Sequence, residues 1–306
     1  MSFTHTKSLN AATSADRPPS GLIKTLSITD YDLDATLSSG QAFRWRHQDN
    51  SWTGVIGTRW VRLRADLTSI LAETAIPVDD WVWLNHYLQS DLDLRSVIAT
   101  FPDDEPMRKS ALACRGLRLL RQDPWECLAS FILSSTKQIV QIQQIVDLLC
   151  KRFGDPIPAL PPHPPAFGFP TPPQLARATE AELRACKMGF RAPYLRETAG
   201  IIAGGGFNLG RLGSVPIEVA RTELMSLPGV GRKIADCVLL FAYGAQAAFP
   251  VDVWVMKALR QLYFPSRRVT LKRLRHFAET HFGQNAGYAQ QYLFHYVRTK
   301  ARFTKR

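Results

Sequence analysis

The chain has 306 residues, enough for about two domains. A hydrophobic fraction of 45% with 16 Phe, 8 Tyr and 7 Trp can fill a sizeable core, which excludes global disorder. No apolar run approaches a bilayer span, no signal-peptide stretch opens the chain, and the five cysteines (Cys114, Cys127, Cys150, Cys186, Cys237) make neither a CxxC nor a metal-spaced cluster. The expectation is a soluble, globular protein of a reducing compartment, without a disulfide framework. Its net charge of +12 is unevenly spread: residues 1–120 hold 13 Lys/Arg and 14 Asp/Glu, residues 121–306 hold 25 and 12. A one-sided positive field of that size suits a polyanion such as nucleic acid.

Residues 1–20 are polar and aperiodic, and read as a flexible tail. From Leu22 to about Glu73 the pattern is short and alternating, with strands expected over 22–28, 43–46, 51–56 and 60–64. Asp49-Asn50 and Gly57-Thr58 punctuate them as hairpin turns. From about Asp79 the period is that of helices. Asp123-Pro124 and Thr171-Pro172 each place a cap before a proline in the first turn, and Thr179 with Glu182 has capping-box spacing. Residues 155–173 hold nine of the 20 prolines and read as a stiff surface connection, neither helix nor interior strand. The expected fold is α+β: an antiparallel β domain with flanking helices over 21–120, then a larger all-α domain over 121–306.

In that helical half, Leu227-Pro228-Gly229-Val230-Gly231 joins helices expected over 216–225 and 232–242. Alone this is an ordinary helix connection. In a strongly basic half, the two glycines, the unpaired N–H groups and the helix dipole make an anion site that reads no base. Lys233, beside Arg232 in the first turn, sits where both the dipole and its neighbour disfavour an ammonium, a placement that suits a neutral amine nucleophile. Nineteen residues on, Asp252 reads as an N-cap whose carboxylate stays ionised and can offset positive charge developing on a sugar ring. Singly, these are a surface lysine and a cap.

Together, LPGVGRKIADC followed by PVD resembles the core of helix-hairpin-helix DNA glycosylases that both excise bases and cut the strand. Further motifs between residues 22 and 298 resemble the eukaryotic-type 8-oxoguanine DNA glycosylases, whose N-terminal domain is TBP-like. The Ser39–Trp45 segment (SGQAFRW) is similar to the family's segment in which a glycine carbonyl, here Gly40, accepts the N7–H of the oxidised base. Gly287-Tyr288-Ala289-Gln290 and Phe294 match the family's last helix. The resemblance implies a base pocket in which Gln290 reads the Watson–Crick edge and Phe294 stacks, with Cys237 on the base's other face. Met188-Gly189-Phe190-Arg191 is similar to a GYR segment, which implies that Phe190 wedges into the stack and Arg191 contacts the opposite strand.

The chain also departs from the family. Thr136-Lys137-Gln138 replaces three asparagines and Gln141 replaces an arginine, which puts the preference for cytosine opposite the lesion in question. Trp254 replaces a histidine. No cysteine follows Cys237, so the four-cysteine cluster of related endonucleases has no ligands.

The expectation is a bifunctional glycosylase/AP lyase with Lys233 and Asp252 as its catalytic residues. Its partner is damaged duplex DNA, held through Phe190, Arg191, Thr136, Gln138, Gly229, Gly231 and Arg232. It is expected to need no metal or organic cofactor, although the family's hairpin can hold a monovalent cation, here on the carbonyls of Met225, Leu227 and Val230. A monomer is expected, in the cytoplasm or nucleoid of a bacterium or the nucleus of a eukaryote. The rivals are a monofunctional alkylbase glycosylase of the same superfamily and a non-catalytic DNA-binding module.

Overall fold

The computed structural model describes residues 21–135, 137–265 and 267–299. The segment 1–20 and Thr136 lie outside them. Five strands, β1 (Ile23–Ser27), β2 (Arg46–Gln48), β3 (Ser51–Ile56), β4 (Arg59–Ala65) and β5 (Ser69–Thr74), form an antiparallel sheet ordered β1-β5-β4-β3-β2. The β2–β3 hairpin turns through Asp49 and Asn50 at φ of 48° and 56°, the left-handed pair that a two-residue turn between twisted strands requires. Between β3 and β4, Gly57 takes φ 58° and sets Ile56 opposite Arg59.

The expected strand over 43–46 is shifted. Pairing begins only at Arg46, because Phe43 and Trp45 are drawn into two different cores. Trp45 lies across the sheet where Gly54 leaves room, an added Cβ there standing 2.6 Å from the indole, and its Nε1 donates to Tyr87 Oη at 2.9 Å. Phe43 instead meets Phe131 edge-on at 5.5 Å in the helical core. β5 (Ser69–Thr74) adds a strand beyond those expected, with Ile70, Ala72 and Thr74 alternating inward.

The helices are α1 (Leu33–Ser38), α2 (Val82–Leu88), α3 (Leu94–Ile98), α4 (Glu105–Ala113), α5 (Pro124–Leu133), α6 (Ile139–Phe153), α7 (Pro172–Arg177), α8 (Glu180–Ala185), α9 (Ala192–Ala203), α10 (Ile217–Met225), α11 (Arg232–Phe241), α12 (Val253–Tyr263), α13 (Leu271–His281) and α14 (Ala286–Thr299). Asp123 caps α5 by accepting Glu126 N–H at 2.8 Å, and Thr179 with Glu182 closes the capping box on α8. Almost every residue of α5 and α11 is buried, so these two helices are the centre of the bundle. Their rings Phe131 and Phe241 stack at 5.6 Å.

The proline-rich connection is more ordered than a bare linker. It pairs β6 (Pro156–Ile157) with β7 (Ala166–Phe167) in an isolated two-strand ladder and starts α7 at Pro172. Proline lacks an N–H, so such a pair tolerates it only where no ladder bond is asked of it. Among the described residues no helix is long and apolar enough to cross a membrane.

Candidate active site and DNA-facing hairpin

Leu227 to Gly231 links α10 to α11 as a hairpin. Gly229 has φ 76°, and an added Cβ would stand 2.8 Å from Tyr194 Cβ on α9, so both backbone and neighbour demand glycine. Thr198 Oγ1 donates to the Pro228 carbonyl at 3.1 Å and ties the turn to α9. Gly231 is the N-cap of α11; no side chain caps the helix, and nothing lies within 4 Å of where a Cβ would sit. The positive end of α11 is therefore uncrowded at its N-cap glycine.

The Arg232 guanidinium does not point freely outward. It pairs with Glu279 at 2.6 Å and approaches Asp236 at 3.8 Å, so the side chain is engaged within the protein. Asp236, buried on α11, is also held by Arg221 of α10 at 2.6 Å. Of the carbonyls considered for a cation, Leu227 already accepts Val230 N–H at 3.1 Å, leaving one lone pair for an ion.

Lys233 and Asp252 open into one cleft of about 510 Å³, together with Gly40, Cys237, Gln290 and Phe294. Lys233 Nζ donates to Ser134 Oγ at 3.0 Å and lies 5.2 Å from the centre of the Phe131 ring. Asp252 caps α12, accepting Val255 N–H at 2.7 Å. The cap is as expected, while burial works against the charge it carries. Burial raises the Asp252 pKa above its ordinary value, against the lowering effects of the Val255 N–H, Lys233, the Trp254 N–H and Arg298. The group is thus less readily charged than a cap alone suggests. Burial pushes the Cys237 thiol up to about 12, so it meets the cleft as a neutral surface.

Opposite Lys233, Gly40 has φ 77°. An added Cβ would stand 2.5 Å from Ile139 Cδ1 and 3.6 Å from Phe294 Cε1. The turn is pinned by a buried amide network. Gln41 Nε2 donates to the Thr36 and Arg118 carbonyls at 2.9 and 2.8 Å, Gln41 Oε1 accepts Leu120 N–H at 2.8 Å, and Gln291 Nε2 donates to the Ser39 carbonyl at 3.1 Å. Gln290 is 4% exposed, and its Oε1 has no hydrogen-bond partner among the described residues. A buried amide oxygen left unpaired at a cleft costs free energy unless an incoming donor meets it.

Gln138 lines the same cleft, and its N–H donates to Gln141 Oε1 at 2.9 Å, so Gln141 serves as a helix cap. Phe190, 53% exposed, and Arg191 lie outside the cleft, on the turn that leads into α9. The Arg191 guanidinium packs 4.7 Å from the Phe190 ring and 5.7 Å from that of Tyr194, the residue beneath Gly229. This turn and the hairpin thus share α9 as their support.

Ser134, Ile139 and Arg298 are among the cleft residues that the sequence does not single out. Ser134 carries no local signal, since it acts on a lysine 99 positions away. Ile139 looks like any apolar residue at a helix start. Arg298 did have a signal: it stands four residues after Phe294, which stands four after Gln290, so the three form one stripe on α14.

Residues 24–128 match the family described as 8-oxoguanine DNA glycosylase, N-terminal domain, and residues 129–282 match the HhH-GPD superfamily base excision DNA repair proteins. The chain belongs to the 8-oxoguanine DNA glycosylase family. It is 30% identical over 303 residues to a probable N-glycosylase/DNA lyase of Methanothermobacter thermautotrophicus, covering 89% of this chain and 95% of that one. An N-glycosylase/DNA lyase of Arabidopsis thaliana is 32% identical, with 88% and 78% covered. Among solved structures, Clostridium acetobutylicum 8-oxoguanine glycosylase/lyase, in complex with double-stranded DNA containing cytosine opposite 8-oxoguanine, superimposes with a TM-score of 0.83 at 31% identity, covering 91% and 98% of the two chains. Trp254 is 42% exposed in the cleft wall, with the Lys257 ammonium 5.5 Å from its ring centre.

Proposed function

We propose that the cleft excises 8-oxoguanine from duplex DNA and then cuts the strand, with Lys233 as nucleophile and Asp252 as the balancing anion. The observation that carries this reading is that Lys233 and Asp252 share one cavity with the unpaired Oε1 of Gln290. DNA is held through phosphates at the α11 N-terminus, and Phe190 and Arg191 take the space of the extruded nucleotide. The damaged base lies against Phe294, with its N7–H on the Gly40 carbonyl and its amide edge on Gln290. A normal guanine carries a lone pair at N7, and a carbonyl facing that lone pair is repelled, so one hydrogen distinguishes the two bases.

The Lys233 amine forms a bond to C1′ as the C1′–N9 bond breaks, and the base departs with that electron pair and takes a proton. Asp252 lowers the energy of the positive charge that builds on the sugar. Loss of the proton on nitrogen and opening of the ring give an iminium. Removal of a proton from C2′ then expels the 3′ phosphate, and water releases the enzyme. Ser134 Oγ, within 3.0 Å of Nζ, orients the amine. We place the protein wherever its DNA lies, in a nucleoid or a nucleus.

The test is borohydride trapping on a duplex containing 8-oxoguanine. A covalent adduct with the wild-type chain, and none with Lys233→Gln while lesion binding persists, is the expected result. Base release without any adduct would favour a monofunctional enzyme, and loss of lesion binding in the variant would count against the assignment.

A further inference from the structure

Arg298 is the third member of the α14 stripe begun by Gln290 and Phe294, and it lines the same cleft. Its guanidinium lies 5.4 Å from the Phe294 ring centre, and its Nη2 donates to the Ser38 carbonyl at 2.6 Å, two residues before Gly40. Its Nε is buried with no hydrogen-bond partner, and among the described residues it makes no ion pair. Burial lowers the Arg298 pKa and the nearby Asp252 carboxylate raises it. A guanidinium with a buried, unbonded Nε, held at a cleft wall without a carboxylate in ion-pair contact, is an expensive arrangement for packing alone.

We propose that Arg298 is a positioning residue: its planar head locks the Phe294 ring and the Gly40 turn into one base-reading surface and sets a fixed positive charge facing Asp252. The inference rests on the reading of this cleft as a base-excision site and adds what keeps that site in register. Among the described residues, the other titratable groups lining the cleft with Asp252 are Lys233 and Cys237 on α11 and Lys137 just before α6. The Lys233 nitrogen must offer a lone pair to C1′ to react, so it brings Asp252 no fixed charge. Arginine does not lose its proton in the working range, so the charge from α14 persists throughout.

The planar fork and the charge separate by substitution. Arg298→Met removes both; Arg298→Lys keeps the charge and loses the fork. Single-turnover excision is measured from 8-oxoguanine and from guanine, across pH, on molecules counted by borohydride trapping. For Arg298→Met we expect discrimination to fall about tenfold or more, with the acidic limb of the rate profile moved to higher pH because Asp252 holds its proton longer. For Arg298→Lys we expect the limb restored and discrimination still reduced. Unchanged discrimination and pH profile in Arg298→Met, with or without a lower melting temperature, overturn the proposal. Should Arg298→Met not fold, Arg298→Lys decides alone, and unaltered discrimination overturns it. Failure of the wild-type chain to excise or trap would instead overturn the base-excision reading, a result visible before any variant is compared.

Discussion

Replacing Gly40 by alanine adds one methyl group where the turn, the stacking ring and Ile139 meet, and its cost divides into two parts. The first is backbone strain. At φ 77° an L-residue with a Cβ pays about 1 kcal/mol. The second is overlap with Ile139, whose Cδ1 would stand at 2.5 Å while its Cγ1 stands at 3.4 Å. Because Cδ1 is the far end of a flexible side chain, the overlap resolves by rotation at about 1 kcal/mol, the low end for overpacking. Urea denaturation of Gly40→Ala should show a loss of about 2 kcal/mol, and single-turnover excision should fall further, by about 10–100-fold, because the methyl intrudes where the base is read.

Ile139→Val deletes the offending Cδ1 atom. Alone it should cost about 0.5 kcal/mol, since Ile139 is half-buried. In the Gly40→Ala background it should recover about 1 kcal/mol, giving a measurable coupling in the double-mutant cycle. A Gly40→Ala loss below about 0.5 kcal/mol, or a cycle without coupling, would refute the account of this turn.

Gln290→Ala should weaken discrimination between 8-oxoguanine and guanine by about 1–3 kcal/mol, read from excision rates, with little change in denaturation midpoint because Oε1 bonds to nothing within the described protein. Asp252 has a folded-state pKa above its ordinary value. Its contribution to stability is therefore present below the ordinary carboxylate pKa and lost as pH rises through the raised value. Asp252→Asn, which keeps a capping side chain, should abolish excision yet leave the apo protein at least as stable as wild type at neutral pH. That advantage should vanish in denaturation curves taken in acid; a variant markedly less stable at neutrality would show that the carboxylate is not strained. Arg221→Ala strands the buried Asp236 and should cost about 3 kcal/mol of unfolding free energy, the low end for a broken buried pair because Arg232 approaches the same carboxylate at 3.8 Å. A loss under about 1 kcal/mol would mean that the two α-helices of the hairpin do not depend on that pair.

The features legible in the sequence are those whose physics is local. Asp49-Asn50, Asp123-Pro124, Thr179 with Glu182, and Gly229 with Gly231 each satisfy a backbone requirement within four residues, and the hairpin and caps stand where such requirements place them. Lys233 and Asp252, 19 residues apart, share a cleft as their motif implied. What could not be read depends on distant partners. Phe43 and Trp45 face separate cores, so their strand begins late. The Arg232 guanidinium turns to Glu279, 47 residues on. Asp252 has the local marks of an ordinary cap, and only the surrounding cleft reveals that burial works against its charge.

The Gly40 turn hangs from amides of Gln41 and Gln291, whereas Lys233 and Asp252 ride on α11 and α12. On the proposed function, recognition and bond-breaking are thus mounted on separate supports that meet across a seam. Wear at that seam should make such an enzyme careless before it makes it slow. Damage to distant amide contacts would show first as attack on sound bases, a hazard to a genome that a simple assay of turnover would miss.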